Sequence, residues 1–150
     1  MKINSNYTVS ANREKVWEHL TDPELLSQCI PGCEELKATG GDTYEATIKV
    51  GVAGIKGTYK GTVTLENMQP PSTYRLMVEG KSTIGFLKGA CDFRLEEANP
   101  NETKVGLDGE LAVGGKLARV GQRIIGSAAK MTIGQFFKQI NKLAATDTGS

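Results

Sequence analysis

The chain has 150 residues, enough for one domain built on a single core. Its 18 basic and 17 acidic residues leave a net charge of +1, which excludes a global electrostatic pull toward nucleic acid. Hydrophobic content of 39 % and charged content of 23 % are ordinary for a globular protein, whereas 18 glycines with no collagen-like period are more than usual.

The first strand falls on residues 2–9, with Ile3, Tyr7 and Val9 at core positions. A short helix follows, capped by Ser10 or Asn12, with Glu14 in its first turn and Val16, Trp17 and Leu20 at helical spacing. Asp22 caps a second short helix with Pro23 at its first position. Leu25, Leu26 and Ile30 are its apolar side, and Pro31-Gly32 stops it. Cys33 to Lys37 begins a strand that turns at Gly40-Gly41-Asp42. Tyr44, Ala46, Ile48 and Val50 then alternate with polar residues, the clearest half-buried strand in the chain. Gly51 to Gly54 interrupts it as a bulge or turn. Alternation resumes from Ile55 to Leu65, through Gly57, Tyr59, Gly61 and Val63. After a turn around Pro70-Pro71, Tyr74, Leu76 and Val78 share a face, and Gly80 to Gly85 is a link. Phe86 to Glu97 is a strand with Cys91, Phe93 and Leu95 on one side. A hairpin turn at Asn99-Pro100 leads to the last strand, with Val105, Leu107, Gly109, Leu111 and Val113 inward.

The stretch from Leu111 to Ala145 organises the rest. It runs about thirty residues without proline past Gly115, long enough to cross a small domain as one helix and cover the apolar face of the strands. On a wheel with Lys116 at zero, Leu117, Val120, Ile124, Ala128 and Met131 share a narrow sector, widened by Gly121, Ile125 and Ala129. Past Gly134 the apolar sector moves to Ile133, Phe136, Phe137, Ile140, Leu143 and Ala144. The two halves therefore bury different sides, or the helix bends near Gly134. The small residues of the first half, facing glycines at 57, 61 and 109, mean either close packing on the sheet or an internal cavity. All six charged residues from Lys116 to Ala145, namely Lys116, Arg119, Arg123, Lys130, Lys138 and Lys142, are basic and fall within about 140°. They form either a solvated face or a docking face for an anionic membrane or acidic partner. Charge is polarised along the chain: residues 1–50 hold five basic and eight acidic residues, and residues 101–150 hold seven and four.

Cys29, Cys33, Cys91 and the single histidine, His19, make no disulfide framework and fall short of a four-ligand zinc set. The cysteines suit a reducing compartment. His19 reads as a core-edge or surface residue without a partner for catalysis. Gly85 to Gly89, apolar at its tip, is either a lip over a cavity or a hairpin end. No signal-length or membrane-spanning apolar run is present, so the chain is expected to be cytoplasmic or peripheral at the inner face of the membrane.

A set of motifs spans nearly the whole chain. They are Asn12-Arg-Glu-Lys-Val-Trp17, Leu20-Thr-Asp-Pro23, Cys29-Ile-Pro-Gly-Cys-Glu34, Gly57-Thr-Tyr-Lys-Gly61 and Val113-Gly-Gly-Lys-Leu-Ala118, completed by Val120-Gly-Gln-Arg123, Ala128-Ala-Lys-Met131 and Phe136-Phe137. In their order and spacing they resemble the CoxG family of carbon monoxide dehydrogenase subunits, within the START-like (SRPBCC) helix-grip superfamily. The resemblance implies an α+β fold: a seven-stranded antiparallel sheet gripping a long C-terminal helix around a hydrophobic cavity, with two short helices after the first strand. It also implies a link to molybdenum-containing carbon monoxide dehydrogenases and related hydroxylases, through maturation, membrane recruitment or carriage of a quinone-type lipid. Some members have a C-terminal anchoring extension. This chain ends at Ser150 without one, which leaves transient contact with an anionic membrane through the basic face.

The expectation is therefore one helix-grip domain over residues 1–146 with a frayed tail at 147–150, no covalent cofactor, no metal and no nucleic acid. It acts as a non-catalytic carrier or accessory protein for an apolar small molecule, a quinone or another lipid, beside a molybdenum hydroxylase-type oxidoreductase. The expected cavity wall is Trp17, Leu20, Leu26, Ile30, Tyr59, Tyr74, Leu76, Phe93, Leu117, Gly121, Ile124 and Ala128, with Phe86 and Leu87 near the mouth. Two rivals stand beside it. A cyclase- or lyase-type enzyme would turn polar groups such as Tyr44, Tyr59 or Arg94 inward. An interaction or maturation protein would have a filled core.

Overall fold

The computed structural model describes residues 1–146, so the tail expected at 147–150 lies outside the described residues. The elements in order are β1 (Lys2–Val9), α1 (Arg13–Thr21), α2 (Pro23–Cys29), β2 (Cys33–Gly40), β3 (Thr43–Val50), β4 (Gly57–Gln69), β5 (Thr73–Ser82), β6 (Gly85–Asn99) and β7 (Glu102–Gly114). A 3-10 segment over Gly115–Val120 then leads into α3 (Gln122–Thr146). The strands form one antiparallel sheet in the order β1-β7-β6-β5-β4-β3-β2. This is the helix-grip architecture: a seven-stranded sheet wrapped around a long C-terminal helix, with two short helices after the first strand.

Local chemistry sets the element ends. The Asn12 side chain accepts a hydrogen bond from the Lys15 amide at 2.8 Å and starts α1. Asp22 accepts from the Glu24 amide at 2.9 Å and starts α2, with Pro23 just inside it. In the strands the alternating residues turn inward as expected. Tyr44 and Ala46 of β3, Tyr59, Val63 and Leu65 of β4, and Val105 and Leu107 of β7 are all buried.

Burial divides the interior in two. A larger cluster gathers Val16 and Leu20 of α1, Tyr74 and Phe93 of the sheet, and Phe137, Ile140 and Ala144 of α3. Its aromatic rings stack: Tyr74 on Phe93 at 4.7 Å between centroids, and Tyr7 on Phe137 at 4.4 Å. A smaller cluster at the other end centres on Tyr59, Leu117 and Ile125.

Three features differ from the sequence expectation. The terminal helix does not begin near Leu111 or Lys116. Strand β7 continues through Gly114, the next six residues form the 3-10 segment, and Gly121 adopts φ 97°, ψ 149°, a conformation open essentially to glycine alone. Helix α3 starts only at Gln122. Its phase then runs through Ile125, Ala129, Ile133, Phe136, Phe137, Ile140 and Ala144, one continuous stripe at helical spacing, so the two halves do not bury different sides. Second, of the two readings of Gly85 to Gly89 the hairpin end holds and the lip does not: Gly85 pairs with Ser82 across a turn at Thr83-Ile84, and the segment is paired β6 backbone, with Phe86 opposite Lys81 and Leu87 opposite Gly80. Third, His19 is not at the edge. It is 2 % exposed, and its Nδ1–H donates to the Lys15 carbonyl at 2.8 Å, which satisfies that ring nitrogen inside the protein.

Candidate functional site

Between the inner face of the sheet and α3 lies a cavity of about 400 Å³. It touches both clusters, with Tyr74, Phe93 and Phe137 at the larger and Tyr59, Leu117 and Ile125 at the smaller. Exposed Thr132 belongs to the lining, so the cavity meets the surface along α3.

Two kinds of small residue create the space. The glycines shape the sheet. A Cβ on Gly61 would collide with the Glu79 carbonyl, and one on Gly109 would come within 2.9 Å of the Ala90 carbonyl oxygen. Both are sites of close backbone approach, where only glycine fits. Alanines leave the room: Ala46 on the sheet and Ala128 and Ala129 on α3 all border the cavity. Gly57, grouped with these by sequence, borders a separate surface hollow beside Cys33 and Lys49.

Ten of the fourteen residues expected at the wall or mouth line this cavity: Leu20 on α1, Leu26 and Ile30 at α2, Tyr59 on β4, Tyr74 and Leu76 on β5, Leu87 and Phe93 on β6, Leu117 and Ala128. The other four lie elsewhere. Trp17 stands behind the wall, edge-on to Tyr74 at 5.4 Å. Phe86 is 50 % exposed because it neighbours inward Leu87 on a strand and must face the other way; its ring covers Gly114. Gly121 is the hinge between the 3-10 segment and α3, with open space where a side chain would be. Ile124 is 46 % exposed and faces Gly54, since the helical phase points Ile125 inward instead. Lining residues not singled out from sequence include Ile48, Cys91, Ile133 and Phe136. Each sat on an apolar strand or helix face already recognised, but the phase across Gly121 was needed to choose among the helical ones.

The lining is hydrocarbon with few polar side chains. Tyr59 donates its hydroxyl to the Ile55 carbonyl at 2.7 Å, and Thr132 donates to the Ala128 carbonyl at 2.8 Å. Lys60, Glu79 and Glu110 border the space beside Gly61, Gly80 and Gly109, but all three are exposed and strand alternation sends their side chains outward. Glu79 pairs there with Lys88 at 3.4 Å. Of the groups an enzyme would need inward, Tyr44 is not in the lining, Tyr59 is already bonded, and Arg94 pairs with Asp108 on the outer face. Burial pushes the Cys29 thiol up to about 11 and the Cys91 thiol up to about 12, the latter helped by the nearby Asp92 and Asp108 carboxylates. Among the described residues no group of three or more His, Cys, Asp or Glu is placed to hold a metal ion.

The six basic residues are all exposed. Lys116 and Arg119 belong to the 3-10 segment. Arg123, Lys130, Lys138 and Lys142 fall within about 120° of α3 at 100° per residue. The same arc carries Ile124 and Met131, 46 % and 48 % exposed. No described helix is long and apolar enough to cross a membrane.

Comparison with known proteins fixes the family. The sequence model of CoxG, a family of carbon monoxide dehydrogenase subunits, matches residues 6–145. The chain belongs to the CoxG family. It is similar throughout to a conserved protein from Geobacillus kaustophilus, with 36 % identity and a TM-score of 0.94 over 97 % of this chain and 96 % of that one. More distant likenesses show the fold alone. A START superfamily protein from Mycobacterium smegmatis gives 16 % identity and a TM-score of 0.76, covering 98 % of this chain and 99 % of that one. The Zhui aromatase/cyclase from Streptomyces sp. R1128 gives 15 % and 0.72, covering 96 % and 93 %. No curated protein matches the chain. CoxG membership and the helix-grip fold together support a ligand-binding, accessory role.

Proposed function

We propose that this CoxG-family chain is a non-catalytic carrier. It takes an elongated apolar molecule, a quinone or another lipid, into the cavity under α3. It serves a molybdenum-containing, carbon monoxide dehydrogenase-like oxidoreductase at the inner face of the cell membrane. The observation that carries this is the cavity: about 400 Å³ of space with hydrocarbon walls, within the roughly 300–1,000 Å³ of small-molecule sites. A ligand burying about 250 Å² of apolar surface there gains roughly 6 kcal/mol at 25 cal/mol per Å², before the cost of immobilisation. Family membership supports the partner. The exposed cations on α3, flanking Ile124 and Met131, support transient contact with anionic lipid.

The open interior speaks against a filled-core interaction protein. The outward or already bonded polar groups favour a carrier over a cyclase or lyase. The test is a titration of the protein with 2,3-dimethylnaphthalene, a rigid hydrocarbon probe, followed by its fluorescence. Saturable one-to-one binding is expected. Signal no greater than partition into a protein without a cavity would overturn the proposal.

A further inference from the structure

Tyr74 is the exception among the polar groups of the cavity wall. It is 4 % exposed and lines the cavity, yet its hydroxyl has no hydrogen-bond partner among the described residues. The ring cannot swing away to find one. It is stacked on Phe93 at 4.7 Å with an interplanar angle of 1°, and Trp17 abuts it edge-on at 5.4 Å. Among the described residues the buried side-chain polar atoms without a hydrogen-bond partner are Arg13 Nε and Arg75 Nε, so the Tyr74 hydroxyl keeps surface open to the cavity, where a ligand can accept from it. Strand register puts a thiol beside it. Tyr74 pairs with Phe93 and Leu76 with Cys91, so the Cys91 side chain is the diagonal neighbour of Tyr74 on the same face and also lines the cavity.

We infer that Tyr74 is the specificity-determining contact of the cavity, donating a hydrogen bond to a neutral acceptor, such as a carbonyl oxygen, on an otherwise apolar ligand. Burial, reinforced by Cys91, holds the Tyr74 phenol well above the usual tyrosine range, and burial first holds Cys91 protonated as well. The spot is therefore uncharged, and Tyr74 is its donor, since the Cys91 thiol is directed to the Asp92 carbonyl at 4.0 Å. Arg94, the cation nearest in sequence to Phe93, is turned outward to Asp108, and Lys60, the cation among the described lining residues, points outward too, so no described lining residue compensates a carboxylate. The ligand class is an uncharged ketone, quinone or ester with a hydrocarbon body, and fatty acids in their ionised form are disfavoured.

This inference rests on the carrier proposal, and two matched probes separate them: 2,3-dimethylnaphthalene and 2,3-dimethyl-1,4-naphthoquinone, which share a skeleton and differ in their carbonyls. Both ring positions open to thiol attack are blocked in the quinone. Quenching of Trp17, the only tryptophan, reads the quinone. Tyr74→Phe keeps the stacked ring and removes only the hydroxyl. The expected result is about a fivefold to tenfold loss of quinone affinity with hydrocarbon affinity unchanged, the size of one hydrogen bond. The quinone carbonyl stretch, red-shifted by wild type, should return toward its free value in Tyr74→Phe. Equal loss of both probes, or loss of neither, overturns the donor role and leaves the carrier standing. Failure of wild type to bind either probe overturns both. Should Tyr74→Phe not fold, the carbonyl stretch in wild type decides, and an unshifted band overturns the inference.

Discussion

Filling the cavity from the helix side is the sharpest perturbation, and Ala128→Phe does it. Ala128 is 6 % exposed, lies on the inner side of α3, and borders the space without touching the sheet's glycine contacts. A phenyl ring projecting there occupies volume that wild type leaves open, so the variant need not overpack. The ring buries about 150 Å². At 25 cal/mol per Å² this removes roughly 4 kcal/mol of ligand contact, or two to three orders of magnitude in Kd. The ligand-free protein gains from the same burial, by about 1–2 kcal/mol after side-chain ordering. The two effects have opposite signs, which separates cavity filling from damage. Denaturant unfolding of the apo protein should show an unchanged or higher midpoint, while titration with 2,3-dimethylnaphthalene and its quinone should show both lost. A well-folded variant that binds both probes as wild type does would refute the placement of the ligand under α3.

Reversing Arg123, Lys130 and Lys138 to Glu should abolish sedimentation with phosphatidylserine vesicles, at about 1 kcal/mol per basic side chain, and leave probe binding unchanged; retained sedimentation would remove the basic face from the proposal. The Cys29 and Cys91 thiols hold their protons up to about 11 and about 12 in the folded chain. The unfolded chain releases them near about 8.5, so stability should be level below that pH and fall as pH rises from there toward 11. Cys29→Ala should flatten part of that fall, and an equally steep profile in the variant would contradict the assignment. Gly121→Ala should cost about 1–3 kcal/mol in denaturant unfolding because of its backbone conformation; a neutral result would mean that the junction relaxes. Asp22→Ala should cost about 1 kcal/mol through the lost cap of α2, read as a shift in midpoint without a change in slope.

The sheet was legible because period-two alternation is hard to imitate. Tyr44-Ala46, Tyr59-Val63-Leu65 and Val105-Leu107 each declared an inner face, and the same faces line the interior. The short helices were legible from Asn12, Asp22 and Pro23, whose capping chemistry is local. The start of α3 was not. Leu117 and Val120 fit a 3-10 turn as well as an α-helix, and the backbone angles of Gly121 cannot be read from the letter G. Carrying one helical phase across that break is what put Gly121 and Ile124 on the wall in place of Ile125. Phe86 was misplaced for a related reason: the alternation set by Cys91 and Phe93, carried back to the start of the strand, sends Leu87 inward and Phe86 outward, and placing both near a mouth passed over it. The unpartnered hydroxyl of Tyr74 has no sequence signal at all, since it depends on what the opposite wall fails to supply.

The most direct measurement is organic extraction of the chain purified from the cells that make it, with mass spectrometry of the extract set against the Ala128→Phe variant prepared in parallel. The account predicts one predominant apolar, carbonyl-bearing molecule near one equivalent per wild-type chain and little in the variant. Equal amounts in both, or an extract indistinguishable from that of an unrelated protein, would contradict it.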